Sequence, residues 1–212
     1  MEQSIYNNHL ILSIIKLIEG YKEIEINHPK AEEPINGGRN YWKDCKDSFI
    51  YLLNQTVRQF HLDSTHFKVS KDAQKCWDEI VINGQRIENY FNGEMIECKA
   101  VEHPEDYPRY IGASKHGVST CIRNEKGRYY FKFNDLFHCE HIIPVNQIVD
   151  ALLKLDNPSE LSVYEVLSKI YICKMLKRED RRIKEKSHRG DDLDYLRIIN
   201  TVYKEANIEV IM

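Results

Sequence analysis

The sequence lacks the closely spaced cysteine pairs by which small zinc modules hold their metal. Cys121 and Cys139, the nearest two of the six cysteines, are 18 residues apart. This spacing argues against a zinc ribbon or a zinc knuckle. A disulfide framework would require an exported chain, and the start Met-Glu-Gln-Ser has no basic signal-peptide region. We therefore expect reduced cysteines in a cytoplasmic protein.

Long hydrophobic runs are also missing. The most apolar stretch, Leu10–Ile18, is interrupted by Ser13 and Lys16, and it is too short to cross a bilayer. Apolar residues nevertheless make up 42% of the 212 residues, against 30% charged residues. This balance is typical of a folded globular protein without a membrane partner, and it argues against disorder.

A positive net charge is a third feature that the sequence does not have. The formal net charge is −3, so the surface as a whole does not indicate nucleic-acid binding. The cations are unevenly distributed, however, and a local basic face can bind phosphates on a slightly acidic protein. Eight of them fall within 16 residues: Lys174, Lys177, Arg178, Arg181, Arg182, Lys184, Lys186 and Arg189.

The pattern of apolar residues predicts an α+β fold in two parts. Residues 1–85 have helical periodicity, with a first helix that ends near Gly20, a long helix from Asn40 and a third helix capped by Ser70. Residues 86–212 add short β-prone segments around a turn at 124–127, and further helices follow. We expect the helical part, 1–85, to pack with the C-terminal part, 86–212, which forms one compact unit.

The segment His138-Cys139-Glu140-His141 is the most informative for chemistry. Along a strand, alternate residues share a face, so His138 and Glu140 point one way while Cys139 and His141 point the other. If the chain turns at His141, a carboxylate and an imidazole can still approach one phosphate. Hydrolysis of a phosphodiester needs both: a cation on the carboxylate offsets charge on the leaving oxygen, and a neutral histidine accepts a proton from water.

A second metal ligand must come from another part of the chain. The composition of Tyr171–Met175 predicts a strand, and Glu179 and Asp180 follow it at the expected start of a helix over 178–186. The order strand, insertion, strand, helix corresponds to a ββα arrangement. This order would bring a helix carboxylate to the metal site.

At this point a family resemblance becomes specific. Glu140-His141-Ile142-Ile143-Pro144 resembles the Asp-His-Ile-x-Pro signature of HNH (His-Me finger) nucleases, and the resemblance covers roughly Tyr129–Lys186. It implies that Glu140 binds a divalent metal ion, Mg²⁺ or Mn²⁺, and that His141 is the general base. It also implies a ligand on the following helix, which is Glu179 or Asp180.

Two further residues are candidates for supporting this site. In HNH proteins the general base is usually supported by an asparagine that precedes the helix. Asn157 can take this role if its loop folds back. His138 is a candidate hydrogen-bond partner of the metal ligands or an additional ligand.

Arg178, Arg181 and Arg182 are related by helical spacing and are candidates for phosphate binding.

The function that the resemblance implies is metal-dependent cleavage of DNA, with RNA possible, in restriction or defence against phage. Two alternatives stay open: a catalytically inactive nucleic-acid-binding module, and a protein-interaction subunit of a larger complex. A homodimer is expected if the enzyme cuts both strands, because each site cuts one strand.

Overall fold

The computed structural model describes residues 2–28, 40–82, 84–99, 122–123, 129–184, 188–190 and 192–211. It confirms the α+β class. In the described residues, no helix is both long and apolar enough to cross a membrane. The helices are α1 (Glu2–Asn27), α2 (Tyr41–Val57), α3 (Lys71–Ile80), α4 (Phe133–Leu136), α5 (Val145–Leu153), α6 (Glu160–Leu167), α7 (Lys177–Asp180) and α8 (Tyr195–Ile198). The strands are β1 (Phe67–Ser70), β2 (Met95–Cys98), β3 (Ile122–Arg123), β4 (Tyr129–Lys132), β5 (Phe137–His141), β6 (Ile172–Leu176) and β7 (Val210–Ile211).

The chain divides into two compact units that are interleaved in sequence. The first unit comprises residues 1–62, 143–170 and 187–194, and the second comprises residues 63–142, 171–186 and 195–212. This grouping differs from a division at residue 85, because the chain leaves the second unit after β5 and returns to it at β6. The turn predicted at 124–127 lies outside the described residues.

The first unit is helical. Helix α1 contacts α2, α5 and α6, and its Ile14 and Ile18 are fully buried. The expected end of this helix at Gly20 is wrong, because α1 continues to Asn27. A Cβ atom at Gly20 would lie 2.7 Å from the Phe49 ring of α2. The glycine therefore permits close approach of the two helices and does not mark a helix end.

The second unit contains a four-stranded mixed sheet in the order β5-β6-β1-β7. Strand β5 is antiparallel to β6, β6 is parallel to β1, and β1 is antiparallel to β7. A separate three-stranded antiparallel sheet has the order β2-β4-β3. Strand β5 is therefore an edge of the larger sheet.

An apolar core in the second unit packs against one face of β5 and β6. Phe137 and Leu176 belong to it, together with Trp77 of α3 and Phe133 of α4. Helix α3 begins as the sequence predicts, because the Ser70 hydroxyl accepts a hydrogen bond from the Ala73 amide at 3.1 Å. Its Trp77 ring then lies 5.6 Å from that of Phe137, so the cap positions a central core residue.

The expected helix over 178–186 is wrong in length. Helix α7 ends at Asp180. The Arg181 amide still bonds four residues back, to Lys177 at 3.3 Å, but the amides of Arg182 and Ile183 bond three residues back, to Glu179 at 2.9 Å and to Asp180 at 3.2 Å. Such bonds tighten and end a helix. The Ile183 side chain is buried, and we attribute the departure of the chain from helical geometry to this burial. Arg181 and Arg182 therefore lie in a turn beyond the helix.

Candidate metal centre

Two polar side chains of the edge strand β5 point away from the apolar core. His138 and Glu140 are two residues apart, so they share a face, and the His138 Nε2 atom lies 3.2 Å from Glu140 Oε2. Phe137 and Cys139 occupy the other face and pack on the core. The strand thus separates a dry face from a face with an imidazole and a carboxylate.

Helix α7 brings a third ligand type to the same place. One ligand atom each of His138, Glu140 and Asp180 can be chosen so that all lie within 4.8 Å of one another, and all three residues are half-buried. Strand β6 leads directly into α7, and α7 contacts β5. Two carboxylates and an imidazole form a donor set that suits Mn²⁺ and other divalent ions that accept both nitrogen and oxygen.

Glu179, the other predicted helix ligand, is used differently. Its side chain is 1% exposed, and its Oε2 atom accepts hydrogen bonds from the Ser70 hydroxyl at 2.6 Å and the Leu176 amide at 2.8 Å. Burial raises the pKa of this carboxyl group, while the two hydrogen bonds oppose that rise. The carboxylate folds back onto the start of α7, as in a capping box. The structure therefore brings Asp180, and not Glu179, to His138 and Glu140.

His141, the predicted general base, is the last residue of β5 and is half-buried. By strand alternation its side chain starts on the face of Cys139, opposite to Glu140. The chain bends at Ile142 and Ile143 immediately afterwards. His141 is not a member of the three-residue cluster, and any substrate that it reaches must lie at the end of the strand.

Lys174 belongs to the basic run but does not contribute to a basic surface. It is fully buried, and its Nζ atom donates hydrogen bonds to the carbonyls of Ile87, Glu88 and Tyr90 at 3.1, 2.6 and 2.6 Å. The same ammonium lies 3.9 Å from the centroid of the Phe91 ring. Burial lowers its pKa to about 8. Lys174 therefore fixes residues 87–91 against β6. Its position within the basic run of the sequence does not indicate this role.

The arginines predicted to bind phosphate lie next to the cluster in sequence. Arg178 is half-exposed and lies 3.9 Å from an Asp72 oxygen, and Arg182 lies 3.6 Å from Glu179. Arg181 is exposed. The guanidinium groups of Arg178 and Arg182 therefore have a carboxylate neighbour already. The Arg178–Asp72 pair is exposed on both sides, so it is worth about 0–1 kcal/mol and can exchange for another anion, whereas the Glu179 carboxylate of the other pair is buried.

Asn157, the predicted support for the base, lies in the exposed bend between α5 and α6 of the first unit. The cluster belongs to the second unit. Asn157 is not among the grouped ligands, and its supporting role stays a prediction.

Comparison with other proteins does not extend this description. No family model, curated protein or solved structure matches the chain. The cluster itself had a local signal in the sequence, namely the alternation of His138 and Glu140 and the acidic pair after β6. Of the two roles predicted for His138, the grouping with Glu140 and Asp180 favours the additional ligand. This grouping depends on the position of α7, which the sequence alone does not determine.

Proposed function

We propose that this protein is a metal-dependent nuclease of the HNH type that hydrolyses phosphodiester bonds in DNA. The observation that carries the proposal is the grouping of His138, Glu140 and Asp180 within 4.8 Å. Support also comes from the order of elements, because β5 and β6 are antiparallel and α7 follows at once. This is the order that the resemblance around Glu140 and His141 implies.

In this proposal the three clustered residues hold a single divalent ion, Mn²⁺ or Mg²⁺. A bound ion would offset the negative charge that develops on the leaving oxygen. Glu140 and Asp180 supply the anionic oxygens, and His138 supplies a ring nitrogen in place of its contact with Glu140 Oε2. The arrangement of two short strands and a following helix turn keeps the three side chains close before any ion binds, which lowers the ordering cost of binding.

His141 is the proposed general base. An imidazole nitrogen of neutral His141 accepts a proton from the attacking water, at the end of β5 where the chain bends. Its neighbour in sequence, Glu140, then lies on the other side of the scissile phosphate. Arg178, Arg181 and Arg182 follow β6 and are proposed to bind the flanking phosphates, for which Arg178 exchanges its exposed pairing with Asp72.

A second candidate function is nucleic-acid binding without chemistry. The observation that favours it is the alternation of side chains along β5, which places the start of the His141 side chain on the face opposite to Glu140. Such a protein would bind DNA through the same arginines and would not need a base beside the ligands. The two candidates differ in turnover and not in binding.

The deciding experiment is nicking of supercoiled plasmid in Mn²⁺ or Mg²⁺, with EDTA as the metal-free control. Glu140→Gln removes a charged ligand and keeps the side-chain shape, so nicking should fall at least about 100-fold. Glu160→Gln makes the same change at an exposed position of α6 and should nick like the wild type. Binding without metal-dependent nicking by the wild type would reject the enzyme and leave the second candidate.

A further inference from the structure

The second unit also has a group of aromatic and basic side chains whose members do not belong to the metal cluster. The rings of Tyr171 and Tyr195 are stacked, with centroids 3.7 Å apart and planes at 19°. The Lys68 ammonium lies 5.6 Å and 5.9 Å from the two ring centroids, and the His66 ring lies 5.0 Å from that of Tyr171. We call these four residues the tyrosine platform. All four are half-buried, so part of each side chain meets solvent.

Strand register places the platform on the sheet face of the candidate metal ligands. Glu140 and Lys68 both pair with Cys173, on opposite sides of β6. The pairing continues one step beyond the strands, because the Ile142 amide donates to the Tyr171 carbonyl at 2.8 Å. Tyr171 is two residues before Cys173 and shares its face. It is therefore a diagonal neighbour of Glu140, a relation that spans about 7–8 Å between Cα atoms.

The charges of the platform suit an anionic ligand with a flat ring. The Lys68 ammonium donates to the Thr65 carbonyl at 3.3 Å, and an ammonium has three N–H donors, so it can also donate to a phosphate. Asp63 is satisfied locally: its carboxylate accepts from the Thr65 hydroxyl and amide and lies 3.0 Å from His66 Nδ1. Those hydrogen bonds lower the pKa of Asp63 to about 2.

The Tyr171 phenol carries no charge that would repel a phosphate. Burial raises the pKa of Tyr171 above its usual value, and the adjacent Tyr195 adds to the rise. The Tyr171 phenol therefore stays neutral at physiological pH. Aromatic rings beside a cation are the usual means by which proteins bind single-stranded nucleic acid without reading its sequence.

We propose that the tyrosine platform is a stacking subsite for an unpaired nucleobase, next to the phosphodiester held at His138, Glu140 and Asp180. This inference rests on the proposed nuclease function, since it assigns the substrate of the same site. The base lies against the exposed side of the tyrosine pair, and Lys68 contacts a phosphate of the same strand. The site thereby prefers single-stranded or locally opened DNA over an intact duplex.

The test measures binding separately from cleavage. Fluorescence anisotropy in EDTA gives the affinity of the full chain for a labelled single-stranded DNA oligonucleotide. Replacing Tyr195 with Leu should weaken binding about 5- to 100-fold, the range for loss of one stacked base, whereas Tyr195→Phe should keep it. Tyr51→Leu is the matched control, because Tyr51 is exposed on α2 of the first unit. An oligonucleotide of the same length without bases should bind wild type as weakly as the normal one binds Tyr195→Leu.

Several outcomes would overturn the subsite. They are equal affinity of wild type and Tyr195→Leu, equal affinity for the normal and the base-free oligonucleotide, and tighter binding to intact duplex than to single strand. If Tyr195→Leu does not fold by circular dichroism, the base-free oligonucleotide on wild type decides. A wild type that binds through Tyr195 but does not cut in Mn²⁺ refutes the nuclease and keeps the subsite. A wild type that cuts DNA, but whose binding is not weakened by Tyr195→Leu, refutes the subsite and keeps the nuclease.

Discussion

The two faces of the antiparallel β5–β6 strand pair carry charged groups in opposite ways. On the core face, the ammonium of Lys174 is fully buried and bonded to three carbonyls. On the other face, His138 and Glu140 are half-buried and contact each other at 3.2 Å. A charge in an apolar core must have all its partners within the fold. Half-buried groups need not, so His138 and Glu140 keep ligand atoms within reach of an added ion.

The same contrast separates two neighbours in α7. Glu179 is buried and accepts two hydrogen bonds at the start of its own helix, whereas Asp180 is half-buried and lies with His138 and Glu140. Consecutive helical residues point about 100° apart, so one can support the fold while the other faces a ligand. Adjacent residues of the same chemical type therefore have separate roles here.

The largest effect is expected at the proposed base. His141→Ala should reduce plasmid nicking about 10²–10⁴-fold, because a general base contributes that much, while Mn²⁺ affinity stays near the wild-type value. His138→Ala is the matched variant on the other face and should reduce both nicking and Mn²⁺ affinity. If His141→Ala nicks at the wild-type rate, the base is another residue and the division of roles between the faces is wrong.

Next in size is the loss of stability expected at Lys174. Lys174→Met leaves the carbonyls of Ile87, Glu88 and Tyr90 without their shared donor and opens a position in the core, and it should lower the free energy of unfolding by about 3–5 kcal/mol, measured by urea denaturation. Lys184→Met makes the same change at an exposed position and should cost under about 0.5 kcal/mol. Equal midpoints for the two variants would contradict the view that the core face depends on this ammonium.

The stability that Lys174 contributes also depends on pH, and the direction of the change follows from the shift of its pKa. Burial lowers the folded pKa from 10.5 to about 8, so between these values the unfolded chain binds more protons than the folded one. The stability contributed by this residue therefore rises with pH across that window and is smallest below pH 8. The deficit of Lys174→Met relative to wild type should widen from pH 8 to pH 10. A deficit that narrows would show that the folded protein favours the charged form.

A smaller stability change is expected at Glu179. Glu179→Ala removes the acceptor of the Ser70 hydroxyl and the Leu176 amide, which should cost about 1–3 kcal/mol in the free energy of unfolding. Glu179→Gln keeps an oxygen acceptor and should lose less. Thermal denaturation of both variants measures the difference, and a Glu179→Ala protein as stable as wild type would mean that these hydrogen bonds do not stabilise α7.

The features that could be predicted from the sequence depend on local patterns. Ser70 as the cap of α3 and the shared face of His138 and Glu140 follow from spacing within a few residues. Strand β1 has no such local signal, because its partner β6 lies about a hundred residues later and Phe67–Ser70 contains two polar residues.

Other features depend on contacts that are remote in sequence. The burial of Lys174 depends on the carbonyls of residues 87–90, and the continuation of α1 through Gly20 depends on Phe49 of α2. The choice of Asp180 over Glu179 depends on Ser70, more than a hundred residues earlier. In each case the local pattern fits two outcomes, and tertiary packing decides between them.

The most direct test of the central claim is calorimetric titration of Mn²⁺ into wild type, Asp180→Asn and Glu179→Gln. The two variants make the same chemical change, from carboxylate to amide, at adjacent positions of α7. We expect one ion per chain, an affinity at least about tenfold lower for Asp180→Asn, and a wild-type affinity for Glu179→Gln. Equal affinity of wild type and Asp180→Asn, or a loss confined to Glu179→Gln, would contradict a metal centre at His138, Glu140 and Asp180.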